Sequence, residues 1–363
     1  MFLKSFFLLI AFFSSSHPQF LIEEIYRVTS SENKISEVLD ISNIGQLIIR
    51  ETENNIQKYY LVDVINNPPP KLIFTSSQVQ GNSIWFSENS RFIIFCPNDG
   101  TRFIVKIYDT NDESIKEISD KEGDVVRASL VDKNRILFDV RRPREYPKVY
   151  MYLEGTETPN YITEGIGAFW SPDGKWFLVK KGEYVKDASN TKRAKVFGYK
   201  IIKQPLYSIF NTAGQKILDI EKQDVHYIKW SPKSDKIVLE LNNKVCLIFL
   251  KTSNDQLTIE YEYYFERISK EGENMAGAEN PTWSPDANWI SYIRNVENGH
   301  TILENSIFVY NINTHQQHSV VSYNDKNIEK IIWLSNNELI FLATSIDNTE
   351  HFVYKIDIDD LMN

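Results

Sequence analysis

The chain has 363 residues, 42% hydrophobic and 25% charged, which is enough to bury a full core and unlike a disordered or collagen-like composition. Its 40 basic and 49 acidic side chains leave a formal net charge of −9. That excludes the basic stripe on which nucleic-acid affinity mostly rests, so no nucleic-acid partner is expected.

The first residues, MFLKSFFLLIAFFSSSHPQF, set Lys4 ahead of an apolar run, Phe6 to Phe13, and a small-residue zone at Ser14 to Ser16. That order reads as a secretory signal peptide over 1–16. The apolar run falls well short of the roughly 20 residues needed to span a bilayer. No cysteine follows it to carry a lipid. The mature chain, 17–363, is therefore expected to be exported, periplasmic or secreted, and a single domain. Cys96 and Cys246 sit in strand-like runs of different repeats, RFIIFCPN and KVCLIFLK, which predicts buried free thiols rather than a disulfide. Asn280-Pro281-Thr282 comes closest to a glycosylation sequon and its proline disqualifies it, favouring a bacterial envelope.

Next comes a lone strand-like segment, FLIEEIYRVTS (Phe20 to Ser30), and then a motif that recurs to the end of the chain. Its copies are ISNIGQLIIR, WFSENSRFIIF, SLVDKNRILFDV, FWSPDGKWFLV, KWSPKSDKIVLEL, TWSPDANWISYI and WLSNNELIFLA. Ser42, Ser87, Leu130, Ser171, Ser231, Ser284 and Ser335 form one column, spaced 41 to 60 residues apart, the range of propeller blades. Each copy holds a hairpin turn. Ser171 can bond backbone amides, Pro172 presets φ, Asp173 tolerates the bend and Gly174 accepts a positive φ. Asn336-Asn337 looks like a shorter, type I′ turn. The flanking tryptophans read as packing wedges.

After each turn come further β-rich runs, such as KYYLVDVI, KVYMYL and SIFVYNI, giving four strands per unit with almost no helical periodicity. The last unit supplies three strands and stops. The expected fold is an all-β, seven-bladed propeller whose last blade is completed by Phe20 to Ser30 beside Phe352 to Ile358; six blades is the alternative.

The motif Trp170-Ser171-Pro172-Asp173-Gly174 resembles the WSPDG signature of TolB-type propeller repeats, blades that also occur beside the hydrolase domain of prolyl oligopeptidase and dipeptidyl peptidase relatives. The resemblance covers nearly the whole mature chain and implies the fold. It carries over no functional residue, because the matching residues are those of the turn. The α/β domain of TolB itself is lacking, and so is the G-x-S-x-G elbow of the peptidases.

Propeller turns alternate between two faces. The longer insertions all fall opposite the serine turns, on 141–147, 182–196, 269–281 and 294–305, as a binding surface on a rigid frame would. The candidate partner-binding residues there are Arg141, Arg142, Arg144 and Tyr146, which suit carboxylate or phosphate recognition at a protein interface, and Glu271, Glu273 and Glu279. The alternative is a solvated basic loop. EYEYYFER should pack Tyr261, Tyr263 and Phe265 and expose its glutamates. His315 and His318 lack partner ligands by sequence, and no metal or cofactor is expected. Two function classes stand open. The first is a monomeric, non-catalytic scaffold binding a protein or envelope partner. The second is an enzyme acting on glycans or peptides at the channel mouth, or a propeller subunit of a separate peptidase.

Overall fold

The computed structural model describes residues 20–31, 34–76, 83–97, 101–120, 123–143, 145–156, 158–186, 199–222, 224–241, 244–253, 256–266, 276–298 and 301–362. The expected leader lies outside them. The strands form seven four-stranded sheets, and the fold is a seven-bladed β-propeller, as the turn column predicts. Strand β1 (Ile22–Thr29) precedes the first complete blade. Blade 1 is β2 (Ile35–Ile41), β3 (Gln46–Glu53), β4 (Ile56–Asp63) and β5 (Lys71–Ser76). Blade 2 is β6 (Ser83–Phe86), β7 (Phe92–Cys96), β8 (Val105–Asp109) and β9 (Ile115–Ile118). Blade 3 is β10 (Asp124–Asp132), β11 (Arg135–Arg141), β12 (Lys148–Leu153) and β13 (Asn160–Glu164). Blade 4 is β14 (Ile166–Trp170), β15 (Trp176–Lys186), β16 (Tyr199–Asn211) and β17 (Lys216–Ile220). Blade 5 is β18 (Val225–Trp230), β19 (Lys236–Leu241), β20 (Lys244–Ser253) and β21 (Gln256–Glu266). Blade 6 is β22 (Ala276–Trp283), β23 (Trp289–Asn298), β24 (Thr301–Asn311) and β25 (Gln317–Tyr323). Blade 7 is β26 (Lys326–Trp333), β27 (Glu338–Ser345) and β28 (Glu350–Asp357), with β1 as its fourth strand. A short helix, α1 (Asp359–Met362), ends the described chain.

Two compact units divide the chain: Met1–Val79, His226–Ile248 and Tyr261–Asn363 in one, Gln80–Val225 and Phe249–Glu260 in the other. In the first, β1 runs antiparallel to β28 from Ile22↔Ile356 to Thr29↔Glu350. The register skips one residue of β1, Ile25. The outermost strands of blades 1, 3, 4 and 6 are skipped in the same way at Ile73, Ile162, Ile217 and Val320. A bulge of this kind adds one residue and twist to an outer strand. β1 therefore repeats the fourth-strand pattern although it comes from the other end of the chain. Val28 joins a core with Leu47, Ile340 and Val353, which holds blade 7 to blade 1.

The second strands of the blades are covered on both faces over most of their length, so they read as apolar runs; all five residues of β7, FIIFC, are buried. Trp170, Trp283 and Trp333 are wedges between blades, and they and Trp230 are each at most 5% exposed. Trp170 meets Phe177 edge-on at 5.2 Å, and Phe177 stacks on Phe210 at 5.4 Å, in the core shared by blades 3 and 4. Cys96 and Cys246 are buried and free, as their strand context predicts.

The serine column works as expected. Ser171 Oγ accepts the amide of Trp176 (3.0 Å) and donates to Asp173 (2.7 Å), while Gly174 N–H closes the turn on Ser171 O (2.9 Å). The position three after the serine has positive φ in five copies, yet only Gly45 and Gly174 are glycines there; Ser90, Ser234 and Ala287 hold φ of 56 to 59°. Asn336 and Asn337 do not have positive φ, so no type I′ turn forms there. That geometry belongs to Asn54 and Asn55 (φ 50 and 62°), between β3 and β4. In blade 7, Ser335 Oγ instead ties back Asn337 (2.6 Å).

Candidate functional site

The two ends of the sheets differ chemically. At the serine-turn end of blades 3 and 4 the charged groups of the turns bond within the protein. Arg135 forks onto Asp132 (2.9 and 3.0 Å), donates to Gly174 O of the next blade (3.1 Å), and lies 5.9 Å from the ring of Trp170.

At the opposite end the described parts of the insertions in blades 4 and 6 are paired strands. β15 and β16 stay paired out to Lys186↔Tyr199, and β23 and β24 out to Asn298↔Thr301. Ala276 to Glu279, read from sequence as loop, pair with Val296 to Ile293. A ladder propagates wherever both chains keep extended backbone. The sequence cue that suggested a loop, a run of polar residues, does not by itself oppose extension.

Of the arginines, Arg141 ends β11, exposed and cross-strand from Asp124. Arg142 is committed within the protein: its Nη2 reaches both oxygens of Asp120 at 3.0 and 3.2 Å, and its Nε follows at 3.3 Å. A Cβ on Gly123 would fall 2.8 Å from Arg142 Cγ, so only glycine lets the connecting strand pass beneath that arginine. Tyr146 is half-buried, and neighbouring Glu145 pairs with Lys148 (2.7 Å). Arg144, Glu271 and Glu273 lie outside the described residues. Glu279 lies in β22 opposite Ile293.

Two carboxylates, one buried and one half-buried, escaped the sequence reading. Asp139, on β11 and 2% exposed, accepts the backbone amides of Gly167 (2.6 Å) and Ala168 (3.5 Å) from the inner strand of blade 4. Glu240, on β19, accepts the amide of Asn280 (2.9 Å) from the inner strand of blade 6. Gly167 and Asn280 both have positive φ (65 and 52°), and in both strands the register skips residues there. A carboxylate of one blade thus caps a bulge of the next. Asn305 does this in neutral form, accepting Ile328 N–H at 2.7 Å. Burial pushes the Asp139 carboxyl up to about 6, against the pull of the Gly167 amide and of the Arg127 and Arg141 charges. Burial raises Glu240 too; the Asn280 amide opposes that, the like charge of Glu279 adds to it, and His226 counters it. The signal was a charge closing an apolar run, as in RILFD and KIVLE, at a position where other blades carry Cys96, Ile293 or Leu342.

The aromatic strand packs as expected for Phe265, which stacks on Tyr310 at 4.1 Å, and for Tyr263, 4.7 Å from the ring of His315. Tyr261 remains 52% exposed. His315 Nδ1 is bonded to Tyr310 Oη (2.7 Å). Among the described residues no three His, Cys, Asp or Glu side chains group as metal ligands, and no helix is long and apolar enough to cross a membrane.

No family model and no curated protein matches the sequence. The fold does have solved counterparts. The Cps50 (Swd1) β-propeller domain of Myceliophteria thermophila is 9% identical, with a TM-score of 0.57 over 91% of this chain and 98% of that one. The uncharacterized protein lmo1340 of Listeria monocytogenes EGD-e is 9% identical, with a TM-score of 0.57 over 91% and 97%. An oligogalacturonate lyase in complex with manganese is 9% identical, with a TM-score of 0.58 over 100% of both. Identities this low establish the propeller fold and nothing finer.

Proposed function

We propose that this chain is an exported, non-catalytic propeller that binds a protein partner of the cell envelope through the end opposite its serine turns. The observation that carries this reading is the contrast between ends. In blade 4 the Ser171 turn closes one end of the sheet with internally bonded polar groups while the β15–β16 ladder runs on at the other, and blade 6, within its own unit, shows the same contrast between the Ser284 turn and the β23–β24 ladder. Arg141, exposed at the end of β11 away from the serine turns, is suited to an acidic partner. The solved counterparts support a common frame rather than a common activity, since one carries a lyase's name and another that of a Cps50 (Swd1) domain.

Affinity capture from a bacterial envelope extract tests the reading with three baits: the mature wild type, Arg141→Glu with Arg144→Glu, and Lys175→Glu at the turn end. Arg142 is left in place because it holds Asp120. A partner recovered by the wild type and the turn-end variant, and lost with the arginine pair, is the expected outcome. Recovery indifferent to the arginine pair and lost with Lys175→Glu would reverse the assignment.

A further inference from the structure

Most basic side chains of blades 2 to 4 have a carboxylate in hand. Arg91 pairs with Asp109 (2.9 Å), Lys133 with Asp109 (2.9 Å) and Asp112, Arg135 with Asp132 (2.9 Å), and Arg142 with Asp120 (3.0 Å). Arg127 and Lys180 break this pattern. Arg127 is exposed on the inner strand β10, opposite Asp139. Lys180 lies half-buried on β15, opposite Ile166, with its ammonium 5.7 Å from the centre of the Tyr207 ring. Neither makes an ion pair with a carboxylate among the described residues.

The two converge at one place. Gly167 follows Ile166 in the bulge of β14, and its φ of 65° turns the backbone so that its amide points back to Asp139. A Cβ built on Gly167 would meet a single atom within 4 Å, Arg127 Nη1 at 3.5 Å. The floor of the site is therefore open, with a guanidinium at its side. Burial and the charge of Arg127 both hold the Lys180 ammonium below its usual range, so the two cations lie within electrostatic reach of each other. Asp139, cross-strand from Arg127, turns its oxygens to the Gly167 and Ala168 amides. Two cations side by side, one partly withdrawn from water, repel each other unless something supplies negative charge.

We propose that Arg127 and Lys180, converging over the open Gly167 bulge, bind an oxyanion, a carboxylate or a phosphate group, between blades 3 and 4. The guanidinium offers a planar fork to two oxygens and the ammonium a point charge to the remaining side. This site does not depend on the envelope-partner reading, because a free anion would occupy it equally.

Calorimetry on the mature full chain tests the proposal, with inorganic phosphate and succinate as separate titrants and ionic strength held constant with chloride. At least one should bind in the millimolar range or tighter, and the preferred titrant identifies the oxyanion. Arg127→Gln and Lys180→Met should each weaken it about tenfold or more, the loss of one charge-assisted hydrogen bond. Lys175→Gln, a solvated lysine at the turn end, should leave it unchanged. Arg127 is exposed, so its variant reports binding even if Lys180→Met fails to fold. No binding of either titrant would overturn the site, and so would equal binding by Arg127→Gln and the wild type.

Discussion

Blades 3 and 4 carry opposite chemistry at their two extremities. Around Gly174 the groups answer one another: Ser171 with Asp173, Arg135 with Asp132 and with the Gly174 carbonyl. Around Gly167 two cations make no ion pair among the described residues, and the buried Asp139, which feels the Arg127 charge, is held by two amides. Both places use a positive-φ glycine and both join neighbouring blades. The difference is that the first ends in a closed network and the second in charge left facing outward. A repeated turn can therefore be fold punctuation while the matching bulge on the same blades is available for binding.

The largest expected effect lies with the strand that completes blade 7. Deleting residues 20–30 removes Val28 from the core shared with blade 1, takes Phe20 and Ile22 from the neighbouring core and bares the edge of β28. The loss should be roughly 4 kcal/mol, a sum over one buried and two partly buried apolar side chains, and it reads out as a sharply lowered melting temperature. An unchanged melting temperature would mean that the repeat does not need its fourth strand there.

Next in size is the buried acid. Because burial lifts Asp139 to about 6 in the folded protein, the native state holds its proton more tightly than the unfolded chain. Its contribution to stability is therefore most favourable below the unfolded value of 3.8 and is lost as pH rises through about 6. Asp139→Asn keeps an oxygen for the Gly167 amide, as Asn305 does for Ile328. Denaturant titrations should show that variant matching the wild type near pH 4 and exceeding it above pH 7 by on the order of 2–3 kcal/mol. A variant less stable at pH 8 would show that the ionised acid, paired with Arg127, is what joins the blades.

The turns give the smallest effects. Gly174→Ala should cost about 1–2 kcal/mol, since φ of 67° is unfavourable for any residue with a Cβ. The reciprocal change, Ala287→Gly, relieves a φ of 58° but removes a fully buried methyl worth roughly 0.8 kcal/mol, so it should stay near wild type. Chemical denaturation of the pair separates backbone strain from packing.

Much of the frame was legible because a fold of repeated blades writes its period into the chain. The serine column, the apolar second strands and the missing fourth strand of the last unit placed the blades and their closure. The Asn336-Asn337 turn was misread because Asn-Asn permits positive φ without imposing it, and Ser335 bonding Asn337 settled the matter. The extended strands of blades 4 and 6 read as loops because sequences such as KKGEYVK and AGAEN carry mixed charge and small residues with no clean apolar alternation. Arg127, Lys180, Asp139 and Glu240 are single charges in four different strands. Only the bulges bring Arg127, Asp139 and Gly167 together, and a bulge leaves no mark in residue type.

The division between a closed end and a binding end is tested most directly by photo-cross-linking. A photoreactive amino acid at Glu145, exposed in the β11–β12 connection, should form an adduct with the captured envelope partner, while the same residue at Lys175 should form none. An adduct at 175 and none at 145 would contradict the account.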